Sequence, residues 1–334
     1  DERRLIDVGD LVRSIASDRG ETIRRAIPAY GGKAAHYAVL SKIPDVPVPH
    51  AFAVPVYYYL QFMEQNGFDQ RIEAMLADAT FRSDPQRRDQ MLAALRADML
   101  EAPVDDFFAR ALEQKLRATF PGQRIRFRSS TNAEDLDGFT GAGLYTSASG
   151  QLDDRARPVL DAVREVWSSV WYFRAFDERE YRSIDHTSVG MALLVHCAFL
   201  DEEANGVALT ANPYDEIGAV PSFYVNVQLG EESVVKPRPG VTTDQNVHYY
   251  HYPGKPLVYL AHSSLTEDDT TVLTVEQSAV LGDALNTIHR YFTQPYSRPG
   301  EFYAMDVEFK FDDAGASSPQ LWVKQARPHP GRGQ

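Results

Sequence analysis

From Val56 to Ala118 the apolar residues return at intervals of three and four: Leu60 and Met63; Ile72, Met75 and Leu76; Met91, Leu92, Leu95 and Met99; Phe107, Phe108, Ala111 and Leu112. That spacing places them along one stripe of a helix. Ser83-Asp84-Pro85 and Ala102-Pro103 interrupt the pattern, and because the residue before a proline is pushed out of the helical region, both are helix boundaries. The pattern predicts a layer of helices. A further amphipathic stretch, Val159 to Arg182, carries Val163, Val166, Trp167, Val170, Trp171 and Phe173, and its aromatics are predicted to be core.

Beyond residue 185 the pattern changes. Short β-rich runs separated by turn residues predict strands at 190–200, 206–211, 222–229, 247–252 and 257–260. A helix is predicted over 274–292, then strands at 302–311 and 320–325 joined by a turn-rich segment. The chain is expected to divide into residues 1–185, a helical layer with a glycine-rich loop, and residues 186–328, a β-rich lobe, followed by a Pro/Gly-rich tail at 329–334. Such a pairing of lobes places ligands in the crevice between them.

The glycine-rich loop carries the first chemistry. After the strand-like Gln123 to Phe127 come Arg128-Ser129-Ser130-Thr131-Asn132-Ala133-Glu134-Asp135-Leu136 and then Gly138-Phe139-Thr140-Gly141-Ala142-Gly143-Leu144-Tyr145. One fixed cation, consecutive hydroxyls and clustered glycines are what a chain needs to wrap backbone N–H groups around a polyphosphate, since backbone approaches phosphate oxygens only where no Cβ intervenes. Taken alone, the segment also fits a plain hairpin connection.

Composition narrows the choice. The formal net charge of −13 argues against binding nucleic acid by general phosphate neutralisation, so an anion site must be built locally. A single cysteine, Cys197, excludes an intrachain disulfide framework, and without a Cys/His cluster a structural zinc site is not expected. No apolar run reaches membrane-spanning length and no signal-peptide core is visible, so a cytoplasmic protein without membrane contact is expected, although the chain begins at Asp1 rather than Met.

Further motifs stand in order along the chain: Tyr30-Gly31-Gly32-Lys33-Ala34-Ala35; Val46-Pro47-Val48-Pro49-His50-Ala51-Phe52; the Arg128 block; Gly190-Met191-Ala192-Leu193-Leu194-Val195; Gly206-Val207-Ala208-Leu209-Thr210-Ala211-Asn212-Pro213; Leu229-Gly230-Glu231-Glu232-Ser233-Val234-Val235; Asp306-Val307-Glu308-Phe309; and Gln325-Ala326-Arg327-Pro328. Each is weak alone. Together and in this order they resemble the nucleotide-binding domain shared by pyruvate phosphate dikinase, phosphoenolpyruvate synthase, rifampin phosphotransferase and the glucan water dikinases, over residues 27 to 328.

The resemblance implies an α+β fold of the ATP-grasp type, two lobes with the nucleotide cleft between them, and ATP and Mg²⁺ as cofactors. It implies Lys33, Arg128 and Arg327 as the catalytic cations on the phosphates. Thr140, Gly141, Ala142, Gly143, His196, Ala198 and Glu231 would contact the nucleotide. Asp306, Glu308 and Gln325 would serve the nucleotide and the metal. Asp306 and Glu308, two apart on a strand, point to one face, and Mg²⁺ accepts one or two carboxylates with waters and phosphates completing its shell. Lys33 near a helix N-terminus is disfavoured by the dipole unless an anion is present.

His36 lies one turn beyond Lys33, where a helix-face histidine is more often structural. His196 stands where relatives commonly present Gln beside the adenine hinge. The resemblance also implies transfer of a phosphoryl group to a histidine or substrate on another domain or partner, and no equivalent of a phosphohistidine domain is visible in the sequence. A catalytically silent nucleotide-binding regulatory module is the competing expectation. An ATP-grasp ligase forming an acyl phosphate is the third, and should lack the Arg128-Ser129-Ser130 block.

Overall fold

A computed structural model describes residues 2–12, 18–133, 143–215, 220–267, 269–313 and 318–331. Two compact units are present: Asp1–Ser14, Ile23–Ala35 and His50–Ala198 form the first, and Ile15–Thr22, His36–Pro49 and Phe199–Gln334 the second.

The first unit begins with β1 (Ile6–Asp7), α1 (Val8–Leu11) and the 23–35 part of α2 (Arg19–Leu40), then β2 (Ala51–Val54). The predicted helical layer follows as α3 (Val56–Gln65), α4 (Phe68–Ala77), α5 (Ala79–Ser83), α6 (Pro85–Glu101) and α7 (Asp106–Thr119). Its boundaries fall at the predicted breaks for a chemical reason: Asp84 is an N-cap whose carboxylate accepts from the Gln86 and Arg87 amides, with Pro85 at the first helical position, where a missing N–H costs nothing. Then come β3 (Arg124–Thr131), β4 (Ala148–Gln151), α8 (Val159–Ser168), α9 (Phe173–Tyr181) and β5 (Met191–Cys197). The amphipathic stretch predicted over 159–182 is interrupted by a 3₁₀ turn at Ser169–Trp171 and an extended Tyr172.

The five strands are antiparallel in the order β1-β2-β5-β3-β4. Their inward side chains, including Phe52, Ile125, Phe127, Met191, Leu193 and Val195, share a core with Tyr59, Phe62, Phe108 and Trp167 from the helices. The Phe108 and Trp167 rings stack at 5.6 Å. By alternation, Arg124, Arg126, Arg128 and Ser130 of β3, with Leu194 and His196 of β5, lie on the opposite face.

The second unit comprises β6 (Ala204–Leu209), β7 (Phe223–Leu229), β8 (Asp244–His248), β9 (Leu257–Ala261), α10 (Val275–Tyr296), β10 (Met305–Asp312) and β11 (Gln320–Pro328). The strands form an antiparallel sheet ordered β11-β10-β6-β7-β8-β9. Helix α10 starts at a capping box, Thr274 with Gln277, and packs on β10 and β11 with Leu281, Leu285, Ile288 and Phe292 buried. Val307, Phe309, Phe311, Leu321 and Val323 are buried as well. The alternate positions of these strands form a second, polar face. Among the described residues no helix is long and apolar enough to cross a membrane.

Candidate functional site

In the first unit the site begins at a break in α2. Gly31 has φ +75° and ψ 166°, a backbone region essentially reserved for glycine, and a Cβ there would lie 2.1 Å from the Ser130 carbonyl oxygen. The helix interrupted at Gly31 therefore sits directly on β3. Ser130 Oγ donates to the Tyr30 carbonyl and accepts from the Ala34 amide, at 2.8 and 3.0 Å, satisfying one backbone group on each side of the break. Lys33, on the restarted helix, is half-buried, and its Nζ donates to the Ser129 carbonyl at 2.7 Å.

This differs from the sequence expectation in one respect. Strand β3 continues through Thr131, so Arg128, Ser129 and Ser130 belong to the strand rather than to a loop after it. The Ser130 hydroxyl is fully buried and bonds the backbone on both sides of the Gly31 break. Arg128 is buried to 7% exposure, opposite Leu194.

The same face carries two cations that the motif reading missed. Arg126 is opposite His196, with Arg124 two residues before, and Arg126 Nη1 donates to Ser149 Oγ at 3.1 Å. The signal was present as Arg124-Ile125-Arg126-Phe127-Arg128, a basic stripe at the period of a strand. His196 is buried within β5 and its Nδ1 bonds the Cys197 carbonyl at 2.6 Å. The Ala198 amide donates to the Arg124 carbonyl at 2.8 Å, so that N–H is committed to the sheet. Gly143 is exposed with φ +67°; Thr140, Gly141 and Ala142 lie outside the described residues.

In the second unit the β10–β11 hairpin gathers four predicted residues. Asp306 is the Cα partner of Arg327, and Glu308 the partner of Gln325. Continuing the alternation of the buried Leu321 and Val323 would send Gln325 to the core face. A register shift between Glu308 and Phe309 inserts Lys324 as an extra residue, and this bulge re-aims Gln325 beside Glu308. Arg327 donates from Nε and Nη2 to Asp306 Oδ2 at 3.1 and 2.9 Å, which orients the guanidinium on this face.

The loop after β7 is held over the same face. Asn205 Nδ2 donates to the carbonyls of Gly230 and Glu232 at 2.6 and 2.9 Å, and Asn226 Nδ2 to that of Val234 at 3.1 Å. Glu231 is exposed between the two anchored carbonyls. Asn205 and Asn226 carried no motif signal; polar residues at alternate positions of otherwise apolar strands were the only hint.

His36 belongs to the second unit. It is buried, its Nε2 bonds Tyr296 Oη at 2.5 Å, and its ring packs against those of Phe292 and Tyr296, which is a structural role.

The donor set suits Mg²⁺ shared with a phosphate. Two carboxylates and an amide on one sheet face supply hard oxygens while leaving positions for ligand oxygens and water. Among the described residues no group of three or more His, Cys, Asp or Glu side chains converges to hold a metal.

Comparison with known proteins follows the same lines. A phosphoenolpyruvate synthase of Aeropyrum pernix is 27% identical over 201 residues, 58% of this chain and 24% of the relative. A rifampicin phosphotransferase of Bacillus subtilis is 28% identical over 212 residues, 61% of this chain and 23% of the relative. A probable phosphoenolpyruvate synthase of Methanothermobacter thermautotrophicus is 30% identical over 191 residues, 55% and 27%. The chain thus spans about a quarter of the length of these relatives. The model of the pyruvate phosphate dikinase AMP/ATP-binding domain matches residues 27–334, and with the GGK break seated on β3 and the paired β10–β11 residues in view, the chain belongs to that family.

Proposed function

We propose that this chain is the Mg²⁺–ATP-binding phosphotransferase module of a dikinase-type enzyme, passing a phosphoryl group from ATP to a histidine or substrate on another domain or partner. The observation that carries the reading is the β10–β11 hairpin, where Asp306 with Arg327 and Glu308 with Gln325 stand side by side on one polar face. In this reading Arg327 meets phosphate charge, and Glu308 with Gln325 holds a cation shared with it. Asp306 orients Arg327 and adds a second carboxylate beside that cation. In the first unit Lys33 and Arg128 supply fixed positive charge, with Gly143 and the neighbouring Thr140, Gly141 and Ala142 offering backbone to phosphate. His196 and Ala198 serve the nucleotide from β5, and Glu231 from the anchored loop. Mg²⁺ held by Glu308 and Gln325 would supply neutralisation of charge on the transferred group; the protein's part is positioning and electrostatic stabilisation, with no side-chain nucleophile required.

The names of the relatives, a synthase of phosphoenolpyruvate and a phosphotransferase, support phosphoryl transfer. Incubation with Mg²⁺ and β- or γ-labelled ATP, with and without extract of the source organism, tests it. AMP release with label passed to a protein or small molecule is expected, and Glu308→Ala is expected to lower turnover at least about 100-fold while the protein stays folded. ATP binding without turnover in every mixture would instead favour a silent regulatory module.

A further inference from the structure

Within the second unit, a cavity of about 480 Å³ lies at the end of β6. Its lining includes Thr210, Asn212, Phe223, His251, His289 and Tyr303. His289 belongs to α10, which packs on the apolar face of the sheet. Asp306 and Glu308 lie on the opposite face, so the proposed phosphate and metal residues leave this cavity unused.

Hydrogen-bond partners fix the donors and acceptors of the lining. Thr210 Oγ1 accepts from the Met305 amide at 2.8 Å and lies 2.9 Å from His289 Nδ1. Thr210 is only 2% exposed, so its hydroxyl hydrogen needs an acceptor, and among the described residues His289 Nδ1 is the one in reach. The hydroxyl therefore donates to Nδ1, and the imidazole carries its hydrogen on Nε2. Burial, reinforced by the charge of His251, pushes this imidazole below its ordinary value and keeps it neutral. Its Nε2–H has no partner among the described residues. Asn212 Oδ1 accepts from the Tyr214 amide at 2.9 Å; only the oxygen of a side-chain amide accepts, so the donor Nδ2 is the edge that remains. The acceptors are committed. Asp215 Oδ2 accepts from the Val220 amide at 2.9 Å, and the His289 carbonyl from Tyr303 Oη at 2.7 Å.

Committed acceptors and available donors call for a ligand that accepts. A cation does not fit, because neither an imidazole N–H nor an amide NH₂ can coordinate one. His251, exposed on the cavity wall, gains a proton near neutral pH and adds positive charge to the two donors. Phe223 and Tyr303 supply an apolar wall against which a flat body packs. We propose that this cavity is a binding site for a small organic carboxylate on a planar body, its oxygens accepting from His289 Nε2–H and Asn212 Nδ2 while His251 balances its charge. Glu301 lines the same cavity but is exposed, where solvent and salt screen its repulsion. The proposal is independent of the Mg²⁺–ATP reading.

The test is calorimetric titration of the intact chain with benzoate, benzamide and benzylamine, with the assigned imidazole nitrogen signals of His289 reporting the site by NMR. Benzoate should bind with a Kd of about 1 mM or tighter and at least about tenfold more tightly than benzamide, because charge-assisted hydrogen bonds are about twice as strong as neutral ones. Benzylamine should not bind. The His289 Nε2 signal should be that of a protonated nitrogen in the free chain and should shift as benzoate is added. Asn212→Asp keeps an acceptor for the Tyr214 amide and replaces the Nδ2 donor by a charged oxygen, so benzoate should weaken at least about tenfold. His289→Asn keeps an acceptor for the Thr210 hydroxyl and removes Nε2–H, and should weaken benzoate about threefold or more. Thermal melting checks that the variants are folded; where one is not, the other variant and the His289 spectrum decide. No saturable benzoate binding, benzamide within about threefold of benzoate, or an unshifted His289 signal would overturn the proposal and leave the Mg²⁺–ATP reading as it stands.

Discussion

Replacing Gly31 by alanine should cost more than any other glycine substitution at a comparable dihedral, because two penalties coincide there. The backbone region at φ +75° and ψ 166° costs a residue with a Cβ about 1–3 kcal/mol. The new methyl would also stand 2.1 Å from the Ser130 carbonyl oxygen and 2.5 Å from its hydroxyl, inside the 3.0 Å that real Cβ contacts respect. The obstacle is backbone of a central strand, so the helix must move. Moving it breaks the Ser130 bonds to Tyr30 and Ala34, together about 1–3 kcal/mol more.

Gly67 is the control. It has φ +66° and nothing within 4 Å of its would-be Cβ, so Gly67→Ala carries only the left-handed penalty of about 1 kcal/mol. Urea unfolding should therefore separate Gly31→Ala from wild type by about 2–6 kcal/mol and Gly67→Ala by about 1 kcal/mol. Because Lys33 rides on the displaced helix, Gly31→Ala should also weaken Mg²⁺–ATP turnover, by up to about 100-fold for a shift near 1 Å. Equal unfolding free energies for the two variants, or unchanged ATP turnover in Gly31→Ala, would refute the argument that this turn positions Lys33.

Asn205→Ala should release the loop that presents Glu231, costing about 1–2 kcal/mol and accelerating amide exchange across residues 229–235; unchanged exchange there would show that other contacts hold the loop. Burial pushes the imidazole of His186 below its ordinary value, against the opposing pull of Glu180, and it stacks on Phe176 at 3.8 Å. His248, His289 and His329 are displaced in the same direction, also chiefly by burial. The folded state then binds fewer protons than the unfolded chain, so the stability these groups contribute is complete above about pH 6.5 and is lost as pH falls below it. Unfolding free energy measured between about pH 7.5 and 5 should decline with acid; a flat profile, or His186 titrating above its ordinary value by NMR, would contradict the assignment.

Local chemistry made much of this protein legible in advance. The Asp84-Pro85 boundary, the strand–turn rhythm beyond residue 185 and the long helix ahead of β10 follow from rules that act over a few residues: capping, proline geometry and hydrophobic period. Asp306 and Glu308 share a face because the strand period is two. The break between α8 and α9 was not legible, because the aromatic period runs through Ser169–Trp171 and only packing decides where an amphipathic segment bends.

By itself, then, the sequence determined the family, the α+β class and the order of charged residues that the proposed function draws on, since ordered motifs and periodicities reside in the chain. The tertiary structure decided what those residues do to one another. It set Gly31 against Ser130 and joined the Ser130 hydroxyl to the backbone of Tyr30 and Ala34 on either side of that break. It used a bulge at Lys324 to swing Gln325 from the core face to Glu308. It added Arg126 and Arg124 to the face of Arg128, and brought Glu202 to Lys310 more than a hundred positions away. Strand pairing and side-chain burial join residues distant in sequence, and no local propensity encodes which partner each will meet.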